Sequence, residues 1–237
     1  MAEMLRKSVK EIMDSMESLK KAVIFDMDGV ILDSETLVFS CWEEIADKYN
    51  IPDITLACTE CLGMNSVITK SKFLERYGAD FPYDEYKGEM SARFHKKALM
   101  GVLKLKPGVI ELLEYLKQEG FLIGLATSSR REYAARELKH LEVLKYFDVL
   151  IYGDMVKKSK PEPEIYLTAA KELGVKPEEC YAVEDSYHGV HAGYRAKMDV
   201  IMVPDKLPPN EEMKRIAKII VGDLNEMKEW FIREKRK

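Results

Sequence analysis

Four stretches of the 237-residue chain place carboxylates, hydroxyls or an ammonium group directly beside an apolar run. The first is Lys21-Ala22-Val23-Ile24-Phe25-Asp26-Met27-Asp28-Gly29-Val30, where the apolar run stops at two acids. A continuous apolar run of this length reads as a strand buried on both faces, as in a parallel α/β sheet, and ligands in such sheets gather at the carboxyl ends of the strands. Side chains alternate along an extended backbone, so Asp26 and Asp28 project to the same side, and Gly29 lets the chain turn away unobstructed. Two carboxylates converging in a poorly solvated site repel each other unless a cation lies between them or one keeps its proton. Both arrangements are useful in catalysis.

The second stretch is Thr127-Ser128-Ser129-Arg130-Arg131-Glu132, after another apolar run. Ser129 and Glu132 fit a capping box, which predicts a helix N-terminus with free backbone N–H groups beside Thr127. A phosphoryl group would be welcome there, although a plain helix cap accounts for the segment equally well. The third is Lys157-Lys158-Ser159-Lys160-Pro161. Pro161 fits the first position of a helix, which puts Lys160 where a cation is locally unfavourable, so another group must hold it. Lys157 and Lys158 read as a solvated basic loop. The fourth is Glu184-Asp185-Ser186, in which Ser186 can cap the following helix. The two acids at the same sheet edge as Asp26 and Asp28 are better explained by a hard cation with oxygen ligands, Mg²⁺ first among them.

These stretches need elements to position them, and the pattern predicts a parallel-sheet core interrupted by a helical insert. Residues 1–20 read as a helical extension, with Met4, Leu5, Ile12, Met13, Met16 and Leu19 near helical spacing. Residues 21–34 and 105–237 form the predicted α/β core, and 35–104 the insert, striped by Leu37, Trp42, Ile45, Val67, Ile68 and Phe73. Those aromatic and methionine stripes read as the insert's own core rather than a cofactor box. From Pro107 onward strands and helices alternate, the signature of a Rossmann-like sheet. The spacing predicts strands at 121–126, 149–151, 181–183 and 200–203, helices at 130–140, 161–173 and 189–196, and a further short strand at 219–221.

Composition excludes several classes of function. Hydrophobic residues make up 46% and charged ones 33%, the balance of an ordinary globular protein. A net charge of −4 offers no broad basic surface, so nucleic acid is not expected as a partner. No apolar run approaches the ~20 residues that span a bilayer, and the N-terminus lacks a signal-peptide core, so no membrane is expected and the cytoplasm is the expected location. Four cysteines, at 41, 58, 61 and 180, do not suggest a disulfide framework. The lone Cys58-x-x-Cys61 lacks a second ligand pair and reads as packing rather than a redox or zinc site. His188 and His191 read as helix-start residues, since Mg²⁺ prefers oxygen.

Taken in order, Asp26-Met27-Asp28-Gly29, Thr127, Lys160-Pro161 and Glu184-Asp185 resemble the four motifs of the haloacid dehalogenase-like hydrolases. The subgroup resembled is that of the β-phosphoglucomutase-like phosphatases, whose helical cap is inserted after the first motif. The resemblance implies a Mg²⁺-dependent phosphatase acting on a small phosphorylated metabolite, a sugar phosphate being one candidate, through an aspartyl-phosphate intermediate. Asp26 would be the nucleophile and Asp28 the general acid and base. Thr127 and Lys160 would hold the phosphoryl oxygens, with Gly29 and Ser128 beside the substrate. The Asp26 and Asp185 side chains and the Asp28 carbonyl would bind Mg²⁺, with Glu184 in support. The cap loop Gly63-Met64-Asn65-Ser66 would face the substrate, closing about hinges near Asp33–Glu35 and Leu103–Pro107. A monomer or weak dimer is expected.

The sequence also departs from the pattern. The family's dehalogenases carry tyrosine at the position of Asp28, which argues against dehalogenation. Its mutases carry a histidine at the position of Val38 and an arginine in the cap loop where Asn65 and Ser66 stand, which favours hydrolysis over isomerisation. A sugar-phosphate mutase and a non-enzymatic phosphate-binding regulator are the alternatives on the same fold. Ala196-Lys197 replaces a common Ala-Gly pair, so that helix must stop on a residue less tolerant of left-handed geometry than glycine.

Overall fold

The computed structural model describes residues 20–62 and 66–236. The predicted helical extension up to residue 19 and the cap-loop residues Gly63, Met64 and Asn65 therefore lie outside the described residues. Six strands occur among the described residues: β1 (Ala22–Phe25), β2 (Leu122–Ala126), β3 (Val149–Ile151), β4 (Cys180–Glu184), β5 (Asp199–Met202) and β6 (Ile219–Ile220). All run parallel, in the spatial order β3-β2-β1-β4-β5-β6. The order reverses direction between β1 and β4, and a ligand crevice opens outside the carboxyl ends of strands at such a reversal. The register pairs Phe25 with Leu125 on one side and Val183 on the other, so the predicted motifs end level with one another.

Alternation explains how both faces of the sheet are covered. Val23 and Phe25 point into one cluster with Leu112 and Leu116 of α5 (Val109–Gln118), Leu138 of α6 (Arg131–His140), and Met227 and Phe231 of α10 (Leu224–Glu234). Ala22 and Ile24 point into the other, with Ile165 and Tyr166 of α7 (Glu164–Leu173), Val190 of α8 (Tyr187–Arg195) and Met213 of α9 (Glu211–Ile216). Every residue of β1 is fully buried, as the unbroken apolar run predicts.

The insert consists of four helices between β1 and β2: α1 (Ser34–Tyr49), α2 (Ile54–Glu60), α3 (Ser66–Tyr77) and α4 (Tyr83–Leu99). Its centre is aromatic. The Trp42 ring lies 5.2 Å from Phe73, and Phe73 meets Tyr83 edge-on at 5.0 Å. Around the rim Arg93 holds Glu44 and Glu89, each at 2.9 Å, and Lys97 pairs with Glu44. The two chain crossings are bonded to each other: the Asp33 N–H donates to the Lys104 carbonyl and the Lys106 N–H to the Ile31 carbonyl, both at 2.9 Å.

Local boundaries depart from expectation at the starts of two helices. Helix α7 begins at Glu164, not Pro161, because the chain is still turning at that point, the Glu162 N–H donating to the Ser159 carbonyl at 3.1 Å. The Glu164 carboxylate accepts from the backbone N–H groups of Lys157 and Lys158, so it anchors the loop that precedes the helix. Helix α8 begins at Tyr187 because Ser186 caps it, accepting from the Gly189 N–H at 3.1 Å. It stops at Lys197, whose φ of 64° takes the left-handed region expected there, and the Lys197 and Met198 N–H groups close the turn onto Tyr194 and Gly193.

Candidate active site

Asp26 is the first residue past β1, still tied to the sheet by its N–H to the Val183 carbonyl at 2.9 Å. The chain then curls: Gly29 donates to Leu32, and Ile31 and Leu32 both donate back to Met27. Gly29 sits at φ 80°, and a Cβ there would stand 2.2 Å from the Asp185 carboxylate. The position therefore demands glycine twice, for its dihedral and for the room it leaves Asp185.

Lys160 is the hub of the floor. Its Nζ lies 2.5 Å from Asp26 Oδ1, 2.6 Å from Glu184 Oε1 and 2.9 Å from the Ala126 carbonyl. The group predicted to need a holder thus has three, supplied by the ends of β1, β2 and β4. A turn from Ser159 to Glu162, not a helix start, delivers the ammonium to this place. Burial pulls the Lys160 pKa down, but the charges of Asp26 and Glu184 outweigh it and hold the pKa above the ordinary lysine value. Glu184 is fully buried; Tyr166 of α7 donates to its Oε1 at 2.7 Å, and Gly189 is bare where a Cβ would strike its carboxylate.

The two acids of the first motif are handled differently. Burial lifts Asp26 to about 6 against the pull of Lys160, with Glu184 adding to the rise. Asp28 is likewise lifted to about 6, by burial first and then by the charge of Asp26, while a hydrogen bond from Ser129 opposes the shift. The Ser129 hydroxyl donates to Asp28 Oδ2 at 2.7 Å. Ser129 does not cap α6, as the capping-box pattern predicts; Arg130 occupies that position without a side-chain bond. The desolvated carboxylate of Asp28 is the stronger acceptor and takes the hydroxyl. Thr127 is buried, and its hydroxyl accepts the Ser129 N–H at 3.0 Å, which holds the loop that carries Ser128 and Ser129. Gly153 leaves room for the Ser128 carbonyl, 2.1 Å from where its Cβ would be.

A cation fits the arrangement. Carboxylate oxygens of Asp26, Glu184 and Asp185 lie within 4.8 Å of one another, an all-oxygen set suited to Mg²⁺. Burial, together with Glu184 and Asp26, raises Asp185 well above the usual carboxylate range, the mark of acids crowded without enough positive charge. The Asp28 side chain turns to Ser129 and is not in this group.

The cleft above these residues encloses about 200 Å³ and is also lined by Ser128, Glu35, Leu62 and Lys206. Leu62 comes from the insert, immediately before the predicted substrate-facing loop, and Ser66 of that loop opens α3. Lys206 follows β5 and donates to Thr36 of the insert at 3.0 Å, and its neighbour Asp205 pairs with Lys106 at 2.7 Å. Sequence reasoning missed Ser129, Tyr166, Glu35 and Lys206 as site residues. Only Ser129 carried a signal, its place in the same hydroxyl run as Thr127.

Comparison with known proteins agrees with this geometry. The sequence model of the haloacid dehalogenase-like hydrolase family matches residues 23–203. A phosphorylated carbohydrates phosphatase of Thermotoga maritima is 35% identical over 181 residues, covering 76% of this chain and 83% of that protein. The β-phosphoglucomutase of Bacillus subtilis is 35% identical over 194 residues, covering 79% of this chain and 85% of the relative. The crystal structure of a β-phosphoglucomutase from Clostridium difficile superposes with a TM-score of 0.68 at 28% identity, covering 92% of this chain and 96% of that one. With the parallel sheet, the inserted helices and the charged floor all accounted for, the chain belongs to the haloacid dehalogenase-like hydrolases, in the β-phosphoglucomutase-like phosphatase subgroup.

Proposed function

We propose that this protein is a Mg²⁺-dependent phosphatase of a small phosphorylated metabolite that works through an aspartyl-phosphate on Asp26. The observation that carries the reading is the unequal treatment of two acids on one strand end: Asp26 against an ammonium group at 2.5 Å, Asp28 against a hydroxyl at 2.7 Å. The Lys160 charge keeps Asp26 available as the anion that attacks phosphorus. Asp28, away from Lys160 and lifted by burial, holds a proton at neutral pH more readily than an ordinary aspartate and gives it to the departing alcohol oxygen. The resulting carboxylate then takes a proton from the water that attacks the acyl phosphate, returning Asp26 and releasing inorganic phosphate.

Thr127, Ser128 and the adjoining backbone would orient the phosphoryl oxygens, and Lys160 would offset their charge as it builds. Mg²⁺, held by Asp26, Asp185 and the Asp28 carbonyl with Glu184 behind them, would neutralise phosphoryl charge and fix the reacting oxygens in line. Leu62 at the cleft and the bonded crossings at Asp33 and Lys106 support a cap that covers the substrate.

Hydrolysis is favoured over phosphoryl return because Val38, an apolar residue packed among the insert's rings, replaces the mutase histidine. The cytoplasm is the proposed location, in keeping with four free, buried cysteines. No helix among the described residues is long and apolar enough to cross a membrane. The test is incubation with glucose 1-phosphate and catalytic glucose 1,6-bisphosphate in Mg²⁺, alongside a set of phosphate monoesters. Release of inorganic phosphate from at least one ester is expected. Rapid formation of glucose 6-phosphate without phosphate release would make the protein a mutase, and no turnover of any ester would leave the regulator reading.

A further inference from the structure

A second cavity opens next to the cleft. It encloses about 290 Å³ among helices α1–α4 and shares Glu35 and Leu62 with the catalytic cavity. The two walls differ in chemistry. The catalytic side presents acids, Lys160, Lys206 and the hydroxyls of Ser128 and Ser186. The chamber presents Val38, Phe39, Trp42, Phe73, Tyr83 and Met90, with Thr69 and Lys87 as further polar contributors.

Displacement at phosphorus runs in line, so the departing alcohol points away from Asp26, out of the sheet and toward the insert. Its body must then pass the Glu35–Leu62 junction. Glu35 is lifted to about 7 by burial and by the charges of Asp28 and Asp205, and both forms of its carboxyl can bond a hydroxyl. Beyond the junction, hydroxyls of a polyol would lie unpaired against aromatic rings, an unfavourable exchange for water. A flat ring would instead lie against these apolar walls and leave its polar edge for Lys87.

We propose that the chamber is the leaving-group subsite, taking the base of a nucleoside 5′-monophosphate whose ribose spans the junction at Glu35. The order of surfaces, charged, hydroxyl-binding, then aromatic, matches phosphate, ribose and base in turn. Together the cavities reach the size of small-ligand sites, ~300–1,000 Å³. The assignment rests on the phosphatase reading for its chemistry but not for its binding.

Two measurements separate the chamber from the chemistry. The first is kcat/KM with Mg²⁺ for uridine 5′-monophosphate against ribose 5-phosphate, which differ by the base alone. A ratio above about tenfold is expected, and Val38→Phe, which fills the chamber, should lower it about tenfold. The second is Trp42 emission. The chain has two tryptophans, and Trp230 packs on Phe231 and Tyr181, away from the chamber. In the Asp26→Asn, Trp230→Phe double variant, uridine 5′-monophosphate should quench Trp42 and ribose 5-phosphate should not. Equal turnover of both esters with no selective quenching overturns the chamber assignment and leaves a phosphatase. Selective quenching with no turnover of any ester keeps the subsite and removes the phosphatase.

Discussion

At the carboxyl ends of β1 and β4, the carboxylates of Asp26, Glu184 and Asp185 crowd beside one buried ammonium group. Directly above, the insert packs Trp42, Phe73 and Tyr83 ring against ring and keeps its charges at the rim. The first arrangement is electrostatically unfavourable for the fold and useful for chemistry; the second stabilises the fold and carries no reactive group. Substitutions in the floor should therefore remove turnover and spare stability, whereas substitutions in the insert's centre should lower stability first and reach turnover only through the chamber those rings line.

The largest effect expected is that of Asp26→Asn, which should lower kcat at least about a thousandfold while the melting temperature moves little. Retained phosphate release in that variant would break the contrast at its strongest point. Next in size is Phe73→Ala, which removes a buried ring from the centre of the insert and should cost about 3–5 kcal/mol in chemical denaturation. A loss below about 1 kcal/mol would mean that the insert is not held by its aromatic core.

Ser129→Ala should lower kcat about tenfold, the loss of one positioning hydrogen bond. Its hydroxyl favours the charged form of Asp28, so the variant's Asp28 pKa rises and the limb of the pH–rate profile that reports it moves to higher pH. An unmoved profile would show that Ser129 serves the loop alone.

The metal sharpens the comparison further. Asp26 and Asp28 stand at about 6 against an ordinary 3.8, so between about pH 4 and 6 the folded chain holds protons that the unfolded chain has released. Stability contributed by these groups is present below that window and is lost as pH rises through it. A Mg²⁺ ion at the proposed site would need the ionised forms, so it should raise the melting temperature near pH 7.5 and do little near pH 5. Equal effects at both would place the ion elsewhere. The smallest change is expected at Lys197, where replacement by glycine relieves the left-handed backbone and should stabilise by roughly 1 kcal/mol in urea denaturation.

The same contrast decides what could be read from the sequence. Asp26, Asp28, Glu184 and Asp185 are legible because charge directly after a buried run has few structural uses. Lys160 is legible as a residue that needs a partner, but the partner's identity depends on the turn after it, and that turn was read as helix. Ser129 reads as a cap because local pattern cannot weigh a helix N–H against a desolvated carboxylate brought from elsewhere in the chain. Tyr166 reads as one more core aromatic until its hydroxyl is seen on Glu184. Helical stripes sufficed for the insert's helices, whereas the junction formed by Glu35, Leu62 and Lys206 depends on where three separate segments meet.

The central position of β1 also bears on how the molecule assembles. Its register pairs Ala22 with Leu122 on one side and with Cys180 on the other, so neither neighbour is close in sequence. Contacts this distant close late, after the intervening helices have shortened the loop between them. During synthesis the strand that leads into Asp26 emerges well before either partner exists, a bare apolar segment with both edges open and prone to wrong pairings. The insert, whose helices meet one another through the Trp42, Phe73 and Tyr83 rings, follows β1 directly in the chain and ends where Asp33 is bonded to Lys104. It would then act as an internal clasp that shortens the search of β1 for β2.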